Sequence, residues 1–304
     1  MNSLISWIGG KKLLRDTIYK RFPMNYGRYI EVFGGGGWVL FGKAPEKNLE
    51  VYNDFNNNLT NMFQVVRDKP LAFIKELGYL PLNGRYLFQL YKEIINKERI
   101  DEKIIDEEMI RVNDFFTDLQ QKELKELLSK SKEQYDIKRA VVFFKLIRYS
   151  YASGCKAFGG NPCDVRKVFA QVWRISERLA NTVIENKDFE ALIGQYDRDD
   201  AFFYCDPPYY DTESYYEAAF TETDHIRLRD CLANIKGKFL LSYNDCPYIR
   251  DLYKDFFIEA VERQNNIAMR YDGDSQFQEL LISNYDTKQH KILETQFSLF
   301  TEGD

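Results

Sequence analysis

Asp206-Pro207-Pro208-Tyr209 closes the apolar run Ala201-Phe202-Phe203-Tyr204-Cys205. Two prolines in a row exclude a continuing central strand and a regular helix interior, so the turn is stiff. It gathers a carboxylate, an imide carbonyl and an aromatic ring at one strand end. That trio suits a flat heterocycle bearing an exocyclic amine. The ring stacks on the heterocycle, while the carboxylate and carbonyl accept from its –NH2. The plain alternative is a Pro-rich loop after a buried strand.

Three further groups carry chemistry. Glu31-Val32-Phe33-Gly34-Gly35-Gly36-Gly37-Trp38 reads as a strand end, a Gly-rich turn and a helix start. Missing Cβ atoms let a ligand come close to the backbone. The dinucleotide fingerprint G-x-G-x-x-G fails here, because its third glycine falls on Val39 or Leu40, which disfavours NAD. Asp54 ends the next strand, where an acid accepts from ribose hydroxyls or caps the following helix. Trp7-Ile8-Gly9-Gly10-Lys11 sets an aromatic face and an ammonium around two glycines. This is a small-ligand clamp, or a core Trp beside a surface Lys.

The elements that must position these groups follow an α/β pattern. Residues 28–33 and 49–54 read as strands around the Gly turn, and 59–66 as a helix. Later strands are expected at 182–185, 201–205, 239–243, 256–261 and 279–284. A helix is expected over 221–235 with Thr221 as its N-cap. Between them, residues 89–148 are rich in Lys and Glu, with apolar residues at helical spacing. Examples are Leu119, Leu124, Leu127 and Leu128, and Val141, Phe144 and Ile147. Residues 149–163 lack a period and read as a long loop. The expectation is a Rossmann-like, seven-stranded α/β domain from residues 1–68 and 165–304, with a mainly helical insertion at 69–164.

Composition narrows the class. With 304 residues and 44% hydrophobic content, the chain has enough apolar mass for a large core. It has no apolar run of about 18 residues, so no membrane span is expected. Gly9 interrupts the first residues too early for a signal peptide. Five cysteines without a Cys-x-x-Cys pair point to reduced thiols in a cytoplasm, and two distant histidines disfavour zinc. Net charge is -5, yet residues 1–28 hold six cations against Asp16, and residues 138–178 hold nine against Asp164 and Glu177. Two basic tracts on an acidic body form one anion-binding face, or else are dispersed around solvated helices.

In order, Trp7-x-Gly-Gly-Lys11, Glu31-x-Phe33-x-Gly35-x-Gly37, Asn53-Asp54 and Asp206-Pro207-Pro208-Tyr209 resemble the Dam-type, alpha-group (D12 class) DNA adenine-N6 methyltransferases. The late run Glu279-Leu280-Leu281-Ile282-Ser283-Asn284-Tyr285 makes the match specific. It covers most of the chain and is weakest over 70–160. Val32 departs from it, since the family often has Pro there, which bears on loop rigidity.

The resemblance implies a seven-stranded methyltransferase fold with an inserted target-recognition domain, and S-adenosylmethionine as cofactor. It implies that Trp7 and Lys11 line the cofactor and target-base pocket. Phe33, Gly35 and Gly37 would shape the loop beneath the methionine part, and Asp54 would take the ribose hydroxyls. Asp188 and Phe189 would meet the cofactor adenine, and Asp206 would lie between cofactor and target amine. Pro207, Pro208 and Tyr209 complete the catalytic set. DNA contacts fall on the segment from Arg148 to Asn161, a loop that touches DNA or packs its own aromatics. Lys138, Arg139, Arg148, Tyr151, Ser153 and Lys156 are the candidates. No metal is implied.

The expected protein is a monomeric, site-specific adenine DNA methyltransferase acting on double-stranded DNA away from any membrane. A companion restriction enzyme is neither required nor excluded by these residues. Because the pocket chemistry of an exocyclic amine is shared, cytosine-N4 and RNA adenine methylation remain alternatives. A non-catalytic nucleic-acid-binding protein is a further one.

Overall fold

Short runs rich in Tyr, Phe, Val and Ile form the strands β1 (Arg28–Glu31), β2 (Leu49–Asn53), β3 (Thr182–Glu185), β4 (Ala201–Cys205), β5 (Lys238–Asn244), β6 (Phe257–Gln264) and β7 (Gln276–Ser283). The computed structural model describes residues 1–79, 85–96, 117, 136–159, 166–211, 220–264 and 276–288. These fall into two units. One is built from Met1–Ser3, Gly9–Asn56 and the chain from Asn181 onward, and the other from Leu4–Ile8 and Asn57–Ala180.

The first unit holds one seven-stranded sheet in the order β3-β2-β1-β4-β5-β7-β6. β1 to β5 pair in parallel, and β7 runs antiparallel between β5 and β6. All five residues of β4 are buried, as expected of a parallel strand covered on both faces. Ile30, Val51, Phe203, Leu241 and Ile282 pack with Leu228 and Leu232 of the helix Glu222–Ala233. That helix is two residues shorter than expected at its C-terminal end. Thr221 caps it through a capping box with Asp224.

The strand order places the site. From β1 the chain goes to β2 and then β3 on one side, and it returns to β4 on the other. The loops after β1 and β4 therefore part at neighbouring carboxyl ends, where open α/β sheets bind their ligands. The register Glu31↔Tyr204 sets the Gly turn beside Asp206.

Gly34 is needed by the fold. A Cβ there would lie 2.2 Å from Cε2 of the fully buried Tyr52, whose hydroxyl donates to Gly35 O at 2.7 Å. Gly34→Ala must displace that ring. It should lower the unfolding free energy by about 1–3 kcal/mol. Thermal denaturation checks this, and an unchanged midpoint would show that the turn yields freely.

The second unit is helical among its described residues: Asn57–Asp68, Pro70–Tyr79, Arg85–Asn96, Ile137–Tyr149 and Arg166–Leu179. Ile137–Tyr149 is buried continuously from Ala140 to Ile147, so it is the central helix of this unit. It contains the expected Val141, Phe144 and Ile147 spacing. The stretch with Leu119, Leu124, Leu127 and Leu128 lies outside the described residues. The unit begins at Asn57 and ends at Ala180, so its edges fall outside the expected 69–164, and it also takes in Leu4–Ile8.

Candidate active site

Asp206 follows β4 directly. Its Oδ1 receives Lys11 Nζ at 2.6 Å and Ser242 Oγ at 2.9 Å. The Lys11 side chain is 2% exposed, and its ammonium also donates to Gly9 O at 2.9 Å. Both bonds to the carboxylate fall on Oδ1. Among the described residues, nothing donates to Oδ2. Burial pushes the Asp206 carboxyl above its ordinary range. Lys11 opposes that shift, Glu279 adds to it, and the Ser242 hydrogen bond opposes it.

Tyr209 is fixed at both its hydroxyl and its ring. The hydroxyl donates to Glu279 Oε2 at 3.0 Å, and Lys11 Nζ lies 4.7 Å from the ring centroid. Burial, and then Glu279, hold its phenol well above the ordinary value, so it stays a neutral donor. Behind it, the Tyr243 ring lies 5.9 Å away, and the Tyr243 hydroxyl meets Nδ1 of the fully buried His225 at 2.6 Å. Asn244 Nδ2 donates to Tyr210 O at 3.1 Å, which ties β5 to the end of the motif.

The Gly turn and Asp54 are joined. Gly35 N donates to Asp54 Oδ2 and Asn56 N to Oδ1, each at 2.8 Å. Asp54 therefore braces both the turn after β1 and its own turn, and each oxygen keeps a lone pair for a hydroxyl. Burial raises this carboxyl and the two backbone amides oppose it. Gly37 has φ 68°, and a Cβ there would meet Phe41 Cε2 at 2.5 Å. Gly34 and Gly37 are thus required by the protein's own packing at this turn, whatever ligand approaches it.

Phe33, Phe189 and Phe220 form an aromatic group with centroids 5.7–5.9 Å apart. Asp188 caps the helix Phe189–Tyr196 by accepting from Glu190 N at 3.0 Å, and it pairs with Arg227 at 3.1 Å. Both contacts fall on Oδ1, and Oδ2 keeps its lone pairs.

Sequence reasoning missed Ser242 and the contact made by Glu279. Their signals were one hydroxyl inside the apolar run Phe239-Leu240-Leu241-Ser242-Tyr243, and one acid opening Leu280-Leu281-Ile282.

The basic tracts change character. In the first, Lys11 pairs with Asp206. Arg21 makes a two-pronged contact with Glu259 at 2.6 and 2.7 Å, and Arg28 meets Asp200 at 2.9 Å. With Arg15 and Asp16 at 3.9 Å, four of its six cations have a carboxylate partner within the protein. In the second tract, Lys145 and Arg178 are buried.

The other members of the second tract lie in the helical unit with Trp7, whose ring is 6.4 Å from Phe143. Asp136 caps the helix carrying Lys138, Arg139 and Arg148 by accepting from Arg139 N, and the Arg139 side chain donates to Asn58. The expected long loop is folded back on itself. Tyr151–Ser153 is a 3₁₀ turn, and Ser150 bridges to Phe158. Lys92 Nζ donates to Lys156 O at 3.0 Å, and Tyr151 stands 74% exposed. Residues 160–165 of that stretch lie outside the described set.

Among the described residues no cluster of three His, Cys, Asp or Glu is arranged for a metal, and no helix is long and apolar enough to cross a membrane.

A family model described as D12 class N6 adenine-specific DNA methyltransferase matches residues 7–267. The chain belongs to this class. The match reaches from the Trp7 segment past β6, so it spans the Gly turn, Asp54 and Asp206–Tyr209. Three similar proteins agree with it. Type II methyltransferase M1.LlaDCHI of Lactococcus lactis subsp. cremoris is 27% identical over 299 residues, 92% of this chain and 94% of its own. Type II methyltransferase M.MjaIII of Methanocaldococcus jannaschii is 27% identical over 310 residues, 92% of this chain and 98% of its own. The DNA adenine methylase of Escherichia coli is 21% identical over 299 residues, covering 92% and 94%. The chain is thus an α/β, Rossmann-like methyltransferase of the adenine-N6 DNA class.

Proposed function

We propose that this D12-class chain uses S-adenosylmethionine to methylate the N6 amine of an adenine turned out of duplex DNA, with Asp206 directing the amine. One observation carries the reading. Lys11 and Ser242 hold Asp206 through Oδ1, and its Oδ2 faces no donor among the described residues, at a sheet edge shared with the Gly turn.

The residues fit the cofactor. Lys11, Asp206 and Glu279 sum formally to one negative charge, which suits a sulfonium. Asp54 keeps lone pairs for ribose hydroxyls, and Phe33, Phe189 and Phe220 offer apolar rings to a flat base. Lys11, Gly35 and Gly37 would complete that subsite. S-adenosylmethionine supplies an already activated methyl group when bound.

The chain's own residues do the rest. The amine is a weak nucleophile because its lone pair is delocalised into the ring. Asp206 Oδ2 and the Pro207 carbonyl accept its two N–H groups and favour a pyramidal nitrogen, with Pro208 stiffening the turn. As the nitrogen takes on positive charge, the Asp206 carboxylate beside it stabilises that charge. The extra proton then passes to Asp206 or to water. Turning out the base costs a few kcal/mol. Stacking on Tyr209 returns about 1–3 kcal/mol.

The sheet unit carries this chemistry and the helical unit serves target recognition. Trp7, Lys138, Arg139, Arg148, Tyr151, Ser153 and Lys156 are the residues of the helical unit proposed to meet cofactor or DNA. The exposed Tyr151 ring supports this, since an apolar or aromatic side chain in that position can wedge a base step.

Incubation with labelled S-adenosylmethionine and duplex DNA, followed by digestion to nucleosides, should yield N6-methyladenine. Label on cytosine N4, on RNA alone or on nothing overturns the reading.

A further inference from the structure

We propose that Glu279 is a positioning residue for this reaction: its carboxylate takes the Tyr209 hydroxyl and so holds the ring on which the target base stacks. The proposal rests on the reading of Asp206–Tyr209 given above and adds a residue from another strand to it.

Glu279 sits on β7, across from Asn244 of β5 and Val261 of β6. Asn244 ends β5 on the sheet edge that also carries Asp206 after β4, so the register brings Glu279 to the site. The residue is 2% exposed. A carboxylate in that position is costly unless it is hydrogen-bonded. The sheet has no need of it, because β7 pairs through its backbone, and Leu280, Leu281 and Ile282 beside it are apolar and buried. The Tyr209 hydroxyl at 3.0 Å gives the carboxylate a use.

Tyr209 lies in a segment without helix or strand, directly after two prolines. Its backbone is stiff, and the hydroxyl bond to Glu279 fixes the far end of its ring. Lys11 Nζ is 4.7 Å from the ring centroid and bonded to Asp206 at 2.6 Å. One tyrosine thus touches two of the three charged groups of the site, the ammonium at its ring and the Glu279 carboxylate at its hydroxyl. Releasing the hydroxyl lets the ring, and any base on it, drift relative to Asp206. A shift of about 1 Å in such a site slows the chemistry by roughly 10²-fold.

The test is single-turnover methyl transfer with S-adenosylmethionine and duplex DNA, alongside DNA affinity and thermal midpoints. Glu279→Ala should slow the step by about tenfold to a hundredfold. DNA affinity should stay within about twofold, since phosphate contacts dominate it. Glu279→Gln keeps an acceptor for the hydroxyl and should recover most of the rate. Tyr209→Phe removes the same bond from the other side, so the double variant with Glu279→Ala should be no slower than the slower single one. Should Glu279→Ala not fold, Tyr209→Phe must still slow transfer by a similar factor.

A wild-type rate in Glu279→Ala, a glutamine variant as slow as the alanine one, or multiplying losses in the double variant would each overturn the proposal. Asp206→Ala run in parallel separates the two levels. If it still methylates, the reading of the motif fails whatever the Glu279 variants do.

Discussion

Asp206→Asn is expected to slow methyl transfer by about 10³-fold, although the substitution changes only one heavy atom. Lys11 offers its ammonium and Ser242 its hydroxyl to Oδ1. An asparagine must meet those two donors with its carbonyl oxygen. Its –NH2 then points where Oδ2 stood, so a donor faces the substrate amine. The substitution therefore reverses the contact rather than weakening it, and it removes the charge that balances Lys11. Single-turnover transfer of labelled methyl to duplex DNA measures the loss. A rate within tenfold of wild type would show that the amine is directed by some other group.

Lys11→Met is the second large effect. It removes the cation 2.6 Å from Asp206 while leaving a buried carboxylate with Glu279 nearby. Breaking such a pair from one side destabilises a protein by about 3–5 kcal/mol. The rate at neutral pH should fall by about 10²-fold, for two reasons: the carboxylate loses its anchor, and less of it is ionised.

The pH dependence has a definite sign. The accepting form is the carboxylate, and burial already raises the Asp206 carboxyl, so activity declines as pH falls through that raised value. Lys11 is the opposing cation, so its loss moves the acidic limb of kcat/KM to higher pH. Glu279 adds to the shift, so Glu279→Gln moves the limb to lower pH. Ser242, Tyr204 and Tyr209 also face this cluster and are unchanged in both variants. Profiles between about pH 5 and 9 should therefore part in opposite directions. Limbs that coincide with wild type would detach both residues from Asp206.

The sequence made part of this visible because some features are local. A strand that stops at Asp206-Pro207-Pro208-Tyr209 is recognisable from its own residues, and so is the Gly turn after β1. Thr221 was readable as a cap because the partner in its capping box, Asp224, is three residues away. Long-range pairings were hidden. Lys11 meets Asp206 only because the strand order returns the chain to β4 beside β1, and Ser242 reaches Asp206 only because β5 pairs with β4.

Asp188 shows the converse difficulty. An acid ahead of a helix looks the same in sequence whether it meets a cofactor, caps the helix or does both, and here the cap and the Arg227 contact use only Oδ1. Charge counting misled for a related reason. Arg21 and Arg28 look available until Glu259 and Asp200, far along the chain, are found against them.

The position of β7 bears on when the enzyme becomes competent during its own synthesis. Among the described residues it is the last of the seven strands in chain order, yet it lies inside the sheet between β5 and β6. A nascent chain that has emerged only through β6 already holds Lys11, Asp206, Tyr209 and Ser242 but lacks Glu279. It also exposes an unpaired edge on β5. Such non-local strand insertion is slow compared with local folding. The chain therefore passes through a stage at which almost every residue of its site exists without the strand that locks them, and catalytic output reports the final strand insertion rather than the first collapse.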